Sequence, residues 1–159
     1  MIRARTIALA ALLAAPAAGQ DNEPTGLELF QLFSDCRPVA LFVSSEGAEY
    51  GLPEESVRLV AESRLRAARL YADSPDSSAG SLYVQVSALN NSFSVSVSYM
   101  KFVTDRLGLN GPAITWISPG FGAHGGDGDY IKSTLYDHLD KFLNEYLRVN
   151  ADACGGPSP

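Results

Sequence analysis

Residues 81–103 read SLYVQVSALNNSFSVSVSYMKFV. Leu82, Val84 and Val86 alternate with Tyr83, Gln85 and Ser87. After Asn90-Asn91, Phe93, Val95, Val97 and Tyr99 alternate with Ser92, Ser94, Ser96 and Ser98. A period of two is the mark of strands with one face on a core. Asparagine tolerates positive φ, so Asn90-Asn91 reads as a two-residue turn. A turn of that length sets the register. It pairs Val86 with Val95, Val84 with Val97 and Leu82 with Tyr99. On the other face it pairs Ser87 with Ser94, Gln85 with Ser96 and Tyr83 with Ser98. Two independent alternations thus agree with one turn, and a hairpin stands at the centre of the fold.

The flanking sequence builds outward from it. Residues 39–43 (VALFV) form a continuous apolar run, which suits a strand covered on both faces. Residues 44–52 read as a loop. Pro53, with Glu54 and Glu55 after it, opens a helix that runs to about Tyr71. Val57, Val60, Ala61, Leu65, Ala68 and Tyr71 share one of its faces at 100° per residue, with Arg64 inside that stripe. Residues 73–81 (DSPDSSAGS) are turn chemistry. Beyond the hairpin and a connection over 104–112, residues 113–118 (AITWIS) read as a strand and 118–129 as a Gly-rich loop. A last helix over about 130–150 buries Ile131, Leu135, Leu139, Phe142, Tyr146 and Val149, with Asp129 as its N-cap. Residues 26–35 suggest a further short helix. The expectation is an α+β single domain, order β-α-β-β-β-α, with a mainly antiparallel sheet and two helices packed on one face. Its bounds are 36–154, after an N-terminal segment over 20–35 and before a disordered tail at 155–159.

The whole chain has 159 residues, 12 basic and 18 acidic, for a net charge of −6. An acidic chain lacks the basic stripe of a nucleic-acid binder. Residues 1–19 read as a signal peptide: Arg3 and Arg5, the apolar run IALAALLAA, then small residues up to Gly19. Nine apolar residues fall short of the roughly 20 that span a bilayer. The sequence therefore predicts a periplasmic or secreted protein with no transmembrane segment after cleavage. Removing 19 residues leaves 140, and losing two arginines takes the charge from −6 to −8. In an oxidising compartment Cys36 and Cys154, the two cysteines of the chain, are expected to form a disulfide across the domain.

Several stretches together carry a resemblance. They are residues 61–71 (AESRLRAARLY), the hairpin strands around Tyr83–Val86 and Phe93–Val97, Thr115-Trp116 before His124-Gly125-Gly126, and residues 142–150 (FLNEYLRVN). Over roughly residues 29–154 the chain resembles a group of small secreted bacterial proteins of uncharacterised function. The resemblance implies a bacterial envelope setting and a common fold, and no activity.

Two places hold candidate chemistry. Residues 120–129 (GFGAHGGDGD) contain G-x-G-x-x-G at Gly120, Gly122 and Gly125. A dinucleotide site requires a helix opening within that motif and a further parallel strand, and this chain has neither. His124, Asp127 and Asp129 remain candidate metal ligands, and the glycine-rich backbone a candidate anion cradle. The second place is the polar face of the hairpin. Tyr83, Gln85, Ser94, Ser96 and Ser98, with Arg64, make a candidate ligand surface. No catalytic constellation and no cofactor motif is present, so the sequence favours a non-enzymatic binding or interaction module. Its partner would be an unknown protein or envelope polymer, or a second copy of the chain through the sheet. The alternative is a small metal- or anion-binding protein or enzyme centred on residues 120–129.

Overall fold

The hairpin forms with the register its alternation dictates: β2 (Ser81–Leu89) and β3 (Ser92–Thr104) pair antiparallel, Val86 opposite Val95, Val84 opposite Val97 and Leu82 opposite Tyr99. The computed structural model describes residues 23–73 and 80–155. The signal peptide expected at 1–19, most of the 73–81 turn and the tail beyond Gly155 lie outside the described residues. Before the hairpin come α1 (Gly26–Leu32), β1 (Ala40–Glu46), a 3-10 turn (Ala48–Tyr50) and α2 (Glu54–Ala67). After it come β4 (Asn110–Ala123), α3 (Gly128–Val149) and the short α4 (Ala151–Gly155).

These strands make one four-stranded sheet in the order β1-β2-β3-β4. β1 runs parallel to β2, because α2 carries the chain back between them, and the other two pairs are antiparallel. The fold is the α+β arrangement that the order of elements implies. α2 packs on β1 and β2, while α3 lies across β3 and β4 and touches α2. The six predicted apolar residues of α3 are all buried. Beneath it Tyr99, Trp116, Phe142 and Tyr146 form an aromatic cluster with ring centroids 5.3–5.8 Å apart.

The two ends of the domain are tied together. Cys36 and Cys154 are disulfide-bonded with their Cα atoms 5.2 Å apart across 118 positions. Asn150, 1% exposed, accepts from the Ser34 N–H at 2.9 Å and donates to the carbonyls of Leu32 (3.0 Å) and Tyr146 (2.9 Å). Thr25 and Glu28 cap α1 reciprocally, and Glu28 also pairs with Arg148 of α3.

Four local expectations are corrected. β4 is not the six residues 113–118 but spans Asn110–Ala123, so half of the supposed Gly-rich loop is strand. The N-cap of α3 is Asp127, whose carboxylate accepts from the N–H groups of Asp129 (2.9 Å) and Tyr130 (3.3 Å); Asp129 lies in the first turn. β1 continues to Glu46, and α2 ends at Ala67, since Arg69 turns left-handed at φ 60°.

Candidate functional site

The helices occupy one side of the sheet, and no described element covers the other. The strand pairings lay that outer face out as rows. Phe42, Tyr83, Ser98 and Ile117 stand side by side across the four strands. The next row is Ser44, Gln85, Ser96 and Pro119, and the next Glu46, Ser87, Ser94 and Phe121. Beyond the first row, Met100 pairs with Ile114 across a register shift.

The face has relief. On β1 and β2 the rings of Phe42 and Tyr83 stack, centroids 4.8 Å apart and 12° between planes. On β4, Ile114, Ile117 and Phe121 project into solvent at 61%, 53% and 88% exposure. Between these ridges β3 offers serines, with Ser96 and Ser98 hydroxyls 3.4 Å apart and Ser98 sunk to 4% exposure. At one end a shallow cleft of about 360 Å³ lies between Phe121 and Leu89 over Ser87, Ser92 and Ser94. Ile114, Ile117 and Phe121 leave on the order of 400 Å² of apolar surface in water along β4, taking about 200 Å² for a large side chain, and Phe42 adds about 90 Å² on the far side of the serines. A patch of about 400 Å² is in the range of the largest apolar patch on a soluble domain, which is often functional.

Of the predicted ligand surface, Tyr83, Gln85, Ser94, Ser96 and Ser98 are brought together on this face. Arg64 is not. It lies in the groove between α2 and α3, 2.9 Å from Asp140 and 5.0 Å from the centre of the Tyr136 ring. Sequence reasoning named Tyr83 but missed the β4 ridge. Continuing the hairpin register into β4 would have found it, since Ile117, Pro119 and Phe121 alternate with Trp116, Ser118 and Gly120.

The Gly-rich segment has a structural use at each step. A Cβ on Gly120 would collide with Nε2 of His138, and one on Gly122 would lie 2.9 Å from the Phe93 ring. A Cβ on Gly128 would meet the Tyr50 carbonyl oxygen inside contact distance. Gly120 thus lets α3 approach β4, and Gly122 leaves room for the Phe93 ring. Gly125 and Gly126 take positive φ in the turn that follows. His138 bonds the buried Ser118 hydroxyl through Nδ1 at 2.7 Å. Burial first, and the charge of Lys141 next, push its imidazole below the usual histidine range.

His124, 4% exposed, lies edge-on to Tyr50 at 4.3 Å, and its Nδ1 accepts from the Gly126 N–H at 3.0 Å. Its Nε2 is buried with no hydrogen-bond partner among the described residues. Asp127 is engaged as the N-cap. Among the described residues no three His, Cys, Asp or Glu side chains are grouped to hold a metal ion. A separate cleft of about 290 Å³ holds Asp127, Asp129 and Lys132, with two carboxylates to one ammonium.

No protein-family model matches the chain, and no curated protein matches it. A solved structure described as the crystal structure of an uncharacterized protein is similar at 9% identity, covering 77% of this chain and 94% of its own, with a TM-score of 0.33. No helix among the described residues is long and apolar enough to cross a membrane.

Proposed function

We propose that the protein is a non-enzymatic interaction module of the bacterial periplasm or exterior that engages its partner face-on, through the outer side of its sheet. One observation carries this: the strand pairing collects two apolar ridges and a serine floor on the side of the sheet that the helices leave bare. Flat sheet faces rimmed by large apolar side chains bind by surface complementarity, with small hydroxyls supplying adaptable hydrogen bonds. The compartment follows from the leader-like N-terminus and agrees with the disulfide.

The buried polar groups support the same reading. Ser118 and His138 make a hydroxyl–imidazole pair, but Ser118 is 2% exposed beneath α3, out of reach of a substrate. Gly120 and Gly122 of β4 serve packing.

Site-specific photo-crosslinking in the producing cell tests the proposal. A photoreactive phenylalanine analogue at position 121 is expected to yield a discrete adduct. The same analogue at Leu59, 58% exposed on α2, is expected to yield none. Adducts from position 59 and not from 121 or 42 would overturn the face-on reading.

A further inference from the structure

We infer that the cleft between the turn after α1 and the far end of β3 is a binding site for a small organic monoanion, a carboxylate carrying a phenyl-sized apolar group. The cleft shares no residue with the three rows of the outer face, so the inference goes beyond the face-on reading and does not depend on it.

Charge is the first argument. The chain carries 18 acidic and 12 basic residues, yet this cleft reverses the balance, with Lys101 and Arg37 against Asp35. Two cations and one carboxylate leave a single positive charge, which one monoanion neutralises. The partly buried Lys101 ammonium donates to the Phe33 carbonyl at 3.2 Å and lies 5.6 Å from the centre of the Phe30 ring. That uses one of its three N–H donors. No carboxylate among the described residues pairs with it, and burial pushes it below the ordinary lysine range. An anion brought to a desolvated, unpaired cation supplies the counter-charge it lacks. Arg37 lies 3.7 Å from Asp35, beyond hydrogen-bond length, with both side chains about half exposed. Its planar fork is therefore open to a carboxylate.

Pre-organisation is the second. The turn over residues 33–37 is pinned from behind. Cys36 is bonded to Cys154, and the Asn150 side-chain oxygen accepts from the N–H groups of Ser34 (2.9 Å) and Cys36 (3.4 Å). The Ser34 hydroxyl bonds the hydroxyls of both Tyr146 and Tyr99, and Tyr146 donates to the Arg37 carbonyl at 3.0 Å. Asp35 and Cys36 are both left-handed, at φ 54° and 55°. Two such non-glycine residues in succession are uncommon, and backbone of this kind concentrates at ligand clamps. A wall already fixed in place loses little freedom when a ligand arrives.

Size and lining are the third. The cleft holds about 250 Å³. At about 30 Å³ per water that is room for roughly eight water-sized groups, the scale of a carboxylate with one ring. Phe33 and Phe102 line it as well, and they offer an apolar body a place that a bare inorganic anion would leave unused. Sulfate or phosphate would also bring a second charge to a site with one to neutralise and with Asp35 beside it.

Titration of the ¹⁵N-labelled protein, disulfide intact, with sodium phenylacetate tests the inference. The amide signals of residues 33–37 and 99–102 should move along one curve with a Kd of about 5 mM or tighter. 2-Phenylethanol, similar in size and uncharged, should bind at least about tenfold more weakly, and K101M and R37Q should each weaken phenylacetate at least about fivefold. K132Q, in the separate cleft beside α3, should leave it unchanged. K101M keeps the lysine stem; if it loses the native near-ultraviolet circular dichroism spectrum, R37Q carries the charge test, since that side chain is 52% exposed. A Kd above about 5 mM, shifts centred away from these residues, or binding indifferent to R37Q would overturn the inference. So would 2-phenylethanol or sulfate binding as tightly as phenylacetate. The cross-link expected from position 121 is independent of each of these outcomes, so the two readings fail separately.

Discussion

Replacing Gly120 by alanine puts a methyl group where Nε2 of His138 now lies. The imidazole cannot swing aside freely, because its Nδ1 is held by the buried Ser118 hydroxyl at 2.7 Å. Three effects set the size of the change. Overpacking costs about 1–3 kcal/mol. Disturbing the Ser118–His138 hydrogen bond costs about 1 kcal/mol. Removing a glycine from a strand returns about 0.5 kcal/mol of backbone entropy. The net expectation for G120A is a loss of roughly 2–3 kcal/mol. H138A alone strands the Ser118 hydroxyl and costs roughly 1–3 kcal/mol. In the double variant the methyl has no ring to meet, so G120A/H138A should cost little more than H138A. The coupling energy is therefore about 2 kcal/mol in the compensating direction. Urea denaturation followed by circular dichroism measures all four corners of the cycle. A near-neutral G120A, or costs that simply add, would refute the view that this glycine lets α3 approach β4.

Three further predictions follow from the ties at the ends of the domain. Cutting the clasp with C36S/C154S should destabilise the protein by up to about 5 kcal/mol, the chain-entropy limit for a loop of 118 residues, with wild type in reductant falling to match in urea titrations. N150L removes partners from the Ser34 N–H and the Leu32 carbonyl at a site 1% exposed, and should cost roughly 3 kcal/mol in the same assay. Glu28 is held at a pKa of about 2 by the Thr25 backbone N–H first and by Arg148 next, below its ordinary 4.5. Its stabilising effect is therefore complete above pH 4.5 and is lost as pH falls towards 2. Amide exchange in α1 should quicken over that window in wild type, while E28Q should be fast already at pH 6 and change little.

Much of the fold is legible in the sequence wherever a side chain reports its own face. The hairpin register follows from valines and serines in strict alternation, and the six residues of the α3 stripe recur at helical spacing because one side of that helix is fully buried. The disulfide is legible because the chain has two cysteines and an N-terminus that reads as a leader, the setting in which a pair is expected to bond. Glycine reports no face, so the passage of β4 through Gly120 and Gly122 was hidden. Those positions are small because of His138 and Phe93, residues distant in sequence. The start of α3 shifted for the same reason: Gly128 lies against the Tyr50 carbonyl, so the helix opens there and Asp127 becomes the cap. The run VALFV could not show that Phe42 would be left 46% exposed, because a continuous apolar strand looks alike whether one face or two are covered. Five of the six residues of the predicted ligand surface nonetheless fell on one face, since a period of two places them there. Arg64 was drawn instead to Asp140, a partner that only the packing of α2 on α3 supplies.

The outer face as a contact surface is tested most directly by following isoleucine methyl groups in NMR spectra as the labelled protein is titrated with soluble envelope extract of the producing cell. Ile114 and Ile117 project from β4 into the proposed contact, and Ile131 is buried under α3 as an internal reference. The methyl signals of Ile114 and Ile117 should shift together along one binding curve while that of Ile131 stays fixed. Signals of Ile114 and Ile117 that stay unmoved while methyl groups on the helical side shift would contradict the account.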